Sequence, residues 1–254
     1  MFKPLKKLRQ QLKNRRILSA PIYRKYPPRI SPIICDSRCA ISLPHRFVYF
    51  RIPKAANSTV TASLHFLQSG EKPSNWREMD RAKKSYTTPS RLSCRHAEDT
   101  FKNFFTFTVV RDPFSRLISG YLDKIVGGEG PYRATVAHFL HQPLESEISL
   151  SEFVSFLEHG DNRNSDPHWC QQTDLIFLPV DELDFIGRFE NLDHDLSHIL
   201  EQIFPGRRQS VNWIPHATNA SERVTSLIDE ALSARIARLY QDDFNRLGYS
   251  TTPG

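Results

Sequence analysis

An α/β layered fold with a mainly parallel sheet is predicted by three observations. Short apolar runs alternate along the chain with segments of helical period. Two of these runs, Phe47–Phe50 and Phe104–Val110, are apolar enough for strands buried on both faces. Each passes through a short turn carrying a cation, Pro53-Lys54 in the first and Arg111-Asp112-Pro113 in the second, into a helix. Strand ends that open onto helix N-termini bind anions through N–H groups and the helix dipole.

The elements follow in order. Ser19 to Pro44 holds five prolines and reads as an irregular lead-in, so residues 1–44 are separated from a folded domain over 45–250. His45 to Ile52 is the first core strand. Ala55 to Gln68 is a helix with Val60, Leu64 and Leu67 inward, stopped by Gly70. Glu71 to Arg95 is polar and aperiodic and reads as an irregular surface segment. Its Arg77, Arg81, Lys83, Lys84, Arg91 and Arg95 either line a cleft for an acidic sugar or form a solvated face. Phe104 to Val110 is the second core strand, and Pro113 opens a helix to about Ile125.

After the loop Gly127–Pro131, helices are expected over Arg133–His141 and Leu150–His159, the latter burying Phe153, Phe156 and Leu157. Asp174–Leu178 and Asp184–Phe189 read as short strands, and Leu192–Phe204 as a helix. Arg207–Asn219 is a polar loop. Ser226 to about Leu247 reads as one long helix with Leu227, Ala231, Ala234 or Arg235, and Leu239 in register.

Composition narrows the function. With 254 residues, 39% hydrophobic and 11% aromatic, the chain can bury a normal core. A net charge of +6 and a pI near 9.2 favour anionic partners. Lys3, Lys6, Lys7, Arg9, Lys13, Arg15 and Arg16 meet no acid before Asp36, and Leu5, Leu8 and Leu12 recur at helical spacing. This stretch suits a solvated tail, a docked helix or a peripheral membrane contact. No secretion signal or apolar span is visible, which gives a cytoplasmic expectation. Cys35, Cys39, Cys94 and Cys170 lack zinc-site spacing and read as free thiols, and no metal site is expected.

The first turn is not a Walker A loop, because Lys54 precedes Ala55, Ala56, Asn57, Ser58 and Thr59 without a glycine. A lysine ahead of small and hydroxyl residues at a helix start still suits a compact tetrahedral anion. Arg111 and Ser119, eight positions apart, suit a ligand lying along the second helix, such as a phosphate on a ribose. Arg116 and Tyr121 flank Ser119.

These segments, PKAANST and RDPFSRLISGY, resemble the 5′-phosphosulfate and 3′-phosphate motifs of the PAPS-dependent carbohydrate sulfotransferases, the chondroitin, HNK-1 and uronyl 2-O group. The segment His168-Trp169 with Gln171, DFIGRFENL and LYQDDFNRLGY is similar to further family segments, so the resemblance runs from about His45 to Tyr249. It implies a three-layer P-loop-like sulfotransferase fold, PAPS as donor, and transfer of a sulfuryl group to a carbohydrate hydroxyl in polysaccharide biosynthesis. Lys54 would contact the bridging oxygen, Ala55 to Thr59 the 5′-phosphosulfate, and Arg111 and Ser119 the 3′-phosphate. His96 is the implied general base, with Glu98 and His168 as alternatives. The Ala-Ala-Asn of the first turn departs from relatives that carry glycine or a hydroxyl there. The family's animal members are anchored Golgi proteins; the missing anchor implies a soluble relative acting on a saccharide made in the cytoplasm. A nucleotide kinase or NTPase, and a non-catalytic anion-binding module, are the other classes weighed. Nothing supports nucleic-acid binding, since no RNP or zinc-finger motif occurs.

Overall fold

The computed structural model describes residues 3–128, 130–207, 209–213 and 219–253. In chain order the elements are α1 (Lys3–Leu18), α2 (Pro21–Lys25), α3 (Pro32–Arg38), β1 (Cys39–Ser42), β2 (Phe47–Phe50), α4 (Asn57–Ser69), α5 (Trp76–Lys84), α6 (Cys94–Asn103) and β3 (Phe105–Val110). There follow α7 (Pro113–Tyr121), α8 (Pro131–Phe139), α9 (Leu150–Glu158), α10 (Gln172–Leu175), β4 (Phe185–Arg188), α11 (Leu192–Ile203), α12 (Val224–Leu227), α13 (Glu230–Leu239) and α14 (Gln241–Leu247). They form two compact units, Met1–Val110 with Asp174–Ile214, and Arg111–Thr173 with Pro215–Gly254.

The first unit holds a 4-stranded sheet in the order β1-β2-β3-β4. β2, β3 and β4 run parallel, as expected, and β1 joins antiparallel to β2. Both faces of the central strands are covered, which explains the continuous apolar runs. On one face Phe47, Tyr49, Phe107 and Val109 meet Val60, Leu64 and Leu67 of α4 and Leu196, Ile199 and Leu200 of α11. The paired Tyr49 and Phe107 rings stack with centroids 4.8 Å apart. On the other face Phe50 packs edge-on to Phe177, which also meets Tyr23 of α2 and Phe101 of α6. Gly187 lets α11 close on β4. A Cβ there would stand 3.3 Å from the Cβ of Asp195, whose carboxylate accepts the Arg188 amide at 2.7 Å.

The second unit is helical. Phe114, Leu117, Ile118 and Tyr121 of α7 pack with Phe153, Phe156 and Leu157 of α9 and with Ile236, Tyr240 and Phe244. Arg235 of α13 pairs with Glu158 of α9 at 2.7 Å and also donates to Ser151 and Ser155.

Four expectations are corrected. The lead-in before Pro44 is not irregular: Pro21 and Pro32 sit in the first turns of α2 and α3, where a missing N–H costs nothing, and Cys39–Ser42 adds a strand. Glu71–Arg95 contains α5 and the start of α6, capped by Asn75 and Ser93, whose side chains accept first-turn amides. Asp174–Leu178 makes no strand; it begins in the helical turn α10, because the Asp243 carboxylate gathers the amides of Gln172 and Thr173. The long C-terminal helix is three helices. Asp229 caps α13 and resets its phase, so Leu232, Ser233 and Ile236 are buried rather than Ala231 and Ala234. α1 does form, with Leu8 and Leu12 exposed and Ile17 buried, and part of the Arg207–Asn219 loop lies outside the described residues. No helix among the described residues is long and apolar enough to cross a membrane.

The turn from β2 into α4 holds Lys54 at φ 69° and Ala56 at φ 54°, both left-handed and neither a glycine. A Cβ in that region costs about 1–2 kcal/mol. Ala56→Gly is therefore expected to raise the stability of the folded chain by about 1 kcal/mol, read as a higher urea midpoint with unchanged slope. A lowered midpoint would show that the turn does not hold this backbone.

Candidate functional site

The first turn is built by burial at its anchors. Ile52 and Ala55 are fully buried, while Lys54 is half-buried. Lys54 and Ala56 are left-handed and are followed by the helical Asn57, a backbone sequence related to those that make anion-binding nests, while the Ala55 amide donates to the Ile52 carbonyl at 3.4 Å. Ala56 is the N-cap residue of α4 and has no side-chain oxygen, so no side chain caps this helix, and its first turn carries no acid. The positive end of the dipole is thus left to amides and small hydroxyls. Thr59 Oγ1 donates to the Trp213 carbonyl at 3.0 Å, and Thr61 Oγ1 donates to Asn57 Oδ1 at 3.4 Å. Lys83 of α5 reaches the same turn, its Nζ donating to Ser58 Oγ at 3.0 Å.

The second turn lies in the other unit. Asp112 caps α7 by accepting the Ser115 amide at 2.8 Å, and Pro113 starts the helix. Arg111 is held through its own backbone. Its N–H donates to Gln172 Oε1 at 2.9 Å, and its carbonyl accepts from Gln172 Nε2 at 2.8 Å. Gln172 is in turn held by Asp243, which accepts its amide at 2.8 Å and that of Thr173 at 2.9 Å. Burial pushes the Asp243 carboxyl up; Arg116 and these N–H bonds work in the opposite direction. The Arg111 guanidinium is buried, and Nη2 donates to Ser221 Oγ at 3.0 Å. Ser119 is buried further along α7. Arg116, 1% exposed, donates to the carbonyls of Cys170 at 2.7 Å and Pro167 at 2.9 Å. It ties the His168-Trp169 segment to α7.

Lys54, Ala55, Ala56, Asn57, Ser58 and Thr59 therefore lie in one turn of the first unit, and Arg111 and Ser119 on α7 and its entry in the second. His96 is on α6, exposed, its Nδ1 3.1 Å from Ser93 Oγ; Glu98 is exposed on the same helix. His168 is more enclosed. Its Nδ1 lies 2.6 Å from Asp166 Oδ1, a contact that fixes ring orientation, and Tyr132 packs edge-on at 5.8 Å. Sequence reasoning missed Gln172 and Asp243 as the support of Arg111. Asp243 lies inside the LYQDDFNRLGY segment, which was the available signal. It named Lys83 only among cations lining an acidic-sugar cleft or a solvated face, not beside the first turn. Cys35, Cys39, Cys94 and Cys170 are all free, and no group of three or more His, Cys, Asp and Glu among the described residues is placed to hold a metal ion.

Comparison with known proteins identifies the family. A family model described as "Sulfotransferase family" matches residues 37–250. Carbohydrate sulfotransferase 14 of Danio rerio is 25% identical over 264 residues, covering 94% of this chain and 71% of the relative. Carbohydrate sulfotransferase 10 of Xenopus laevis is 26% identical, with coverages of 87% and 69%, and that of Homo sapiens is 27% identical, with 87% and 68%. No solved structure matches. The matched span takes in both turns, their helices and the segments that support them, and the chain belongs to the sulfotransferase family.

Proposed function

We propose that this protein is a PAPS-dependent carbohydrate sulfotransferase, with its sheet and covering helices forming the three-layer P-loop-like fold of such enzymes. The observation that carries this reading is the Lys54–Thr59 turn, a strand exit with left-handed backbone at 54 and 56, no capping side chain, no acid in the first turn of α4, and a lysine at its entry. A tetrahedral, doubly charged group suits it better than any neutral ligand. The names of the curated relatives support a carbohydrate acceptor.

When bound, the donor supplies a sulfuryl group activated for in-line transfer to an oxygen. The chain's own residues position and neutralise charge. The segment from Ala55 to Thr59 would hold the 5′ end through the amides of its later residues and the Ser58 hydroxyl, and Lys54 would offset the charge growing on the leaving phosphate oxygen. Arg111 and Ser119 take the 3′-phosphate, with Gln172 and Asp243 keeping the Arg111 backbone in place. His96 accepts the acceptor hydroxyl's proton. The Asp166–His168 contact favours a second reading in which His168 is that base, its Nδ1 held by the carboxylate.

Two outcomes are expected with labelled PAPS and a glycan panel. Lys54→Ala lowers kcat about 10²- to 10³-fold, whereas Arg111→Ala mainly weakens binding of adenosine 3′,5′-bisphosphate, by about ten- to a hundredfold. Full activity in both variants, or transfer to simple phenols alone, would overturn the reading. For the base, His96→Ala is expected to lower kcat about 10²-fold or more with little change in nucleotide binding. The same loss in His168→Ala, with His96→Ala near normal, would move the role to His168.

A further inference from the structure

We propose that Lys83 is a second donor-binding cation of the 54–59 turn, reaching the donor's 5′ end beside the Ser58 hydroxyl that it already holds. This inference rests on the reading of that turn given above. Three features of the first unit converge on it.

The first is placement. Asn75 caps α5 by accepting the amides of Arg77 and Glu78, and Met79 and Ala82 bury one face of the helix. That docking carries Lys83 to within 3.0 Å of Ser58, the second residue of α4. The backbone of Lys83 is anchored as well, since the buried Arg51 donates from Nη1 to its carbonyl at 3.3 Å and from Nη2 to the Ser37 carbonyl.

The second is charge. The ammonium is half-buried, and its hydrogen-bond partner is a neutral hydroxyl rather than a carboxylate. Trp76 covers it from one side, its ring centroid 5.6 Å from Nζ. Of the charged groups acting on it, Arg51 beyond β2 and Arg38 at the end of α3 repel, and Asp80 on its own helix attracts. Lys54 adds another positive group to the turn, and the first turn of α4 contributes no acid. Asp80 is itself engaged by Lys84 at 2.5 Å. A desolvated ammonium among cations is undercompensated until an anion arrives.

The third is protonation. Burial first, then Arg51 and Arg38, pushes the Lys83 amine down to about 8. An arriving phosphate or phosphosulfate favours the charged amine and draws that value back up. Near pH 8 the protein should therefore take up a proton as it binds the nucleotide, and affinity should fall as pH rises through that value. A lysine acting only as a helix-packing residue would do neither.

The test is titration calorimetry of adenosine 3′,5′-bisphosphate into the full chain at pH 8, in buffers of different ionisation enthalpy. Wild type should show net proton uptake. Lys83→Met should bind about ten- to a hundredfold more weakly and without that uptake, while its urea midpoint without ligand stays equal or rises. Lys83→Arg should recover affinity but not proton uptake, because a guanidinium stays charged at this pH. Wild-type affinity and uptake in Lys83→Met, with Lys54→Ala impaired, would overturn the role of Lys83 and leave the turn's assignment standing. Unimpaired binding in both variants would overturn the assignment of the turn itself.

Discussion

The parallel pairing of β2 with β3 is the constraint on which the rest of the first unit depends. Its register sets Phe47 against Phe105 and Phe50 against Thr108, and the stacked Tyr49 and Phe107 rings, together with the Thr108 hydroxyl donated to the Phe50 carbonyl at 2.8 Å, hold it there. A slip of one residue would send every inward side chain to the opposite face, away from α4 and α11. Because the strands are parallel, β2 ends where Arg51 turns toward α4, and β3 ends at Val110, one residue before Arg111. Chemistry is thereby placed at strand exits, where backbone amides are available without breaking a ladder.

The two turns handle positive charge in different ways. Near the first, Lys54, Arg51 and Lys83 share a region with no acid on the adjoining helix turn, and backbone strain at Lys54 and Ala56 shapes the amides. Positive charge gathered at a turn in this way costs stability and is useful where an anion will supply the balance. At the second, Arg111 is set by hydrogen bonds to its main chain, and its guanidinium donates to Ser221. Asp243 stands behind this arrangement, its burial offset by the amides of Gln172 and Thr173.

Elements with strong local patterns were legible in the sequence. α4, α9 and α11 show clear helical spacing, β2 is apolar throughout and β3 is built of Phe, Val and β-favouring Thr, so each stands within a few residues of its expected place. Elements whose pattern is set by distant partners were not. α10 exists because Asp243, far along the chain, collects its first amides, and the C-terminal helix breaks where Asp229 begins a new cap. The proline-rich lead-in looked irregular because a proline at a helix start and a proline in a loop look alike until the helix docks.

Residue order alone determined the two strand–turn–helix units, the Lys54 turn without Walker glycines, and the Arg111–Ser119 spacing, because local sequence encodes strand exits and helix starts. Tertiary structure alone decided what surrounds them. Lys83 meets Ser58 from 25 residues away, and Gln172 meets Arg111 from 61. No periodicity records such contacts; they arise when helices dock by burying apolar faces, and the polar groups carried along must then find partners.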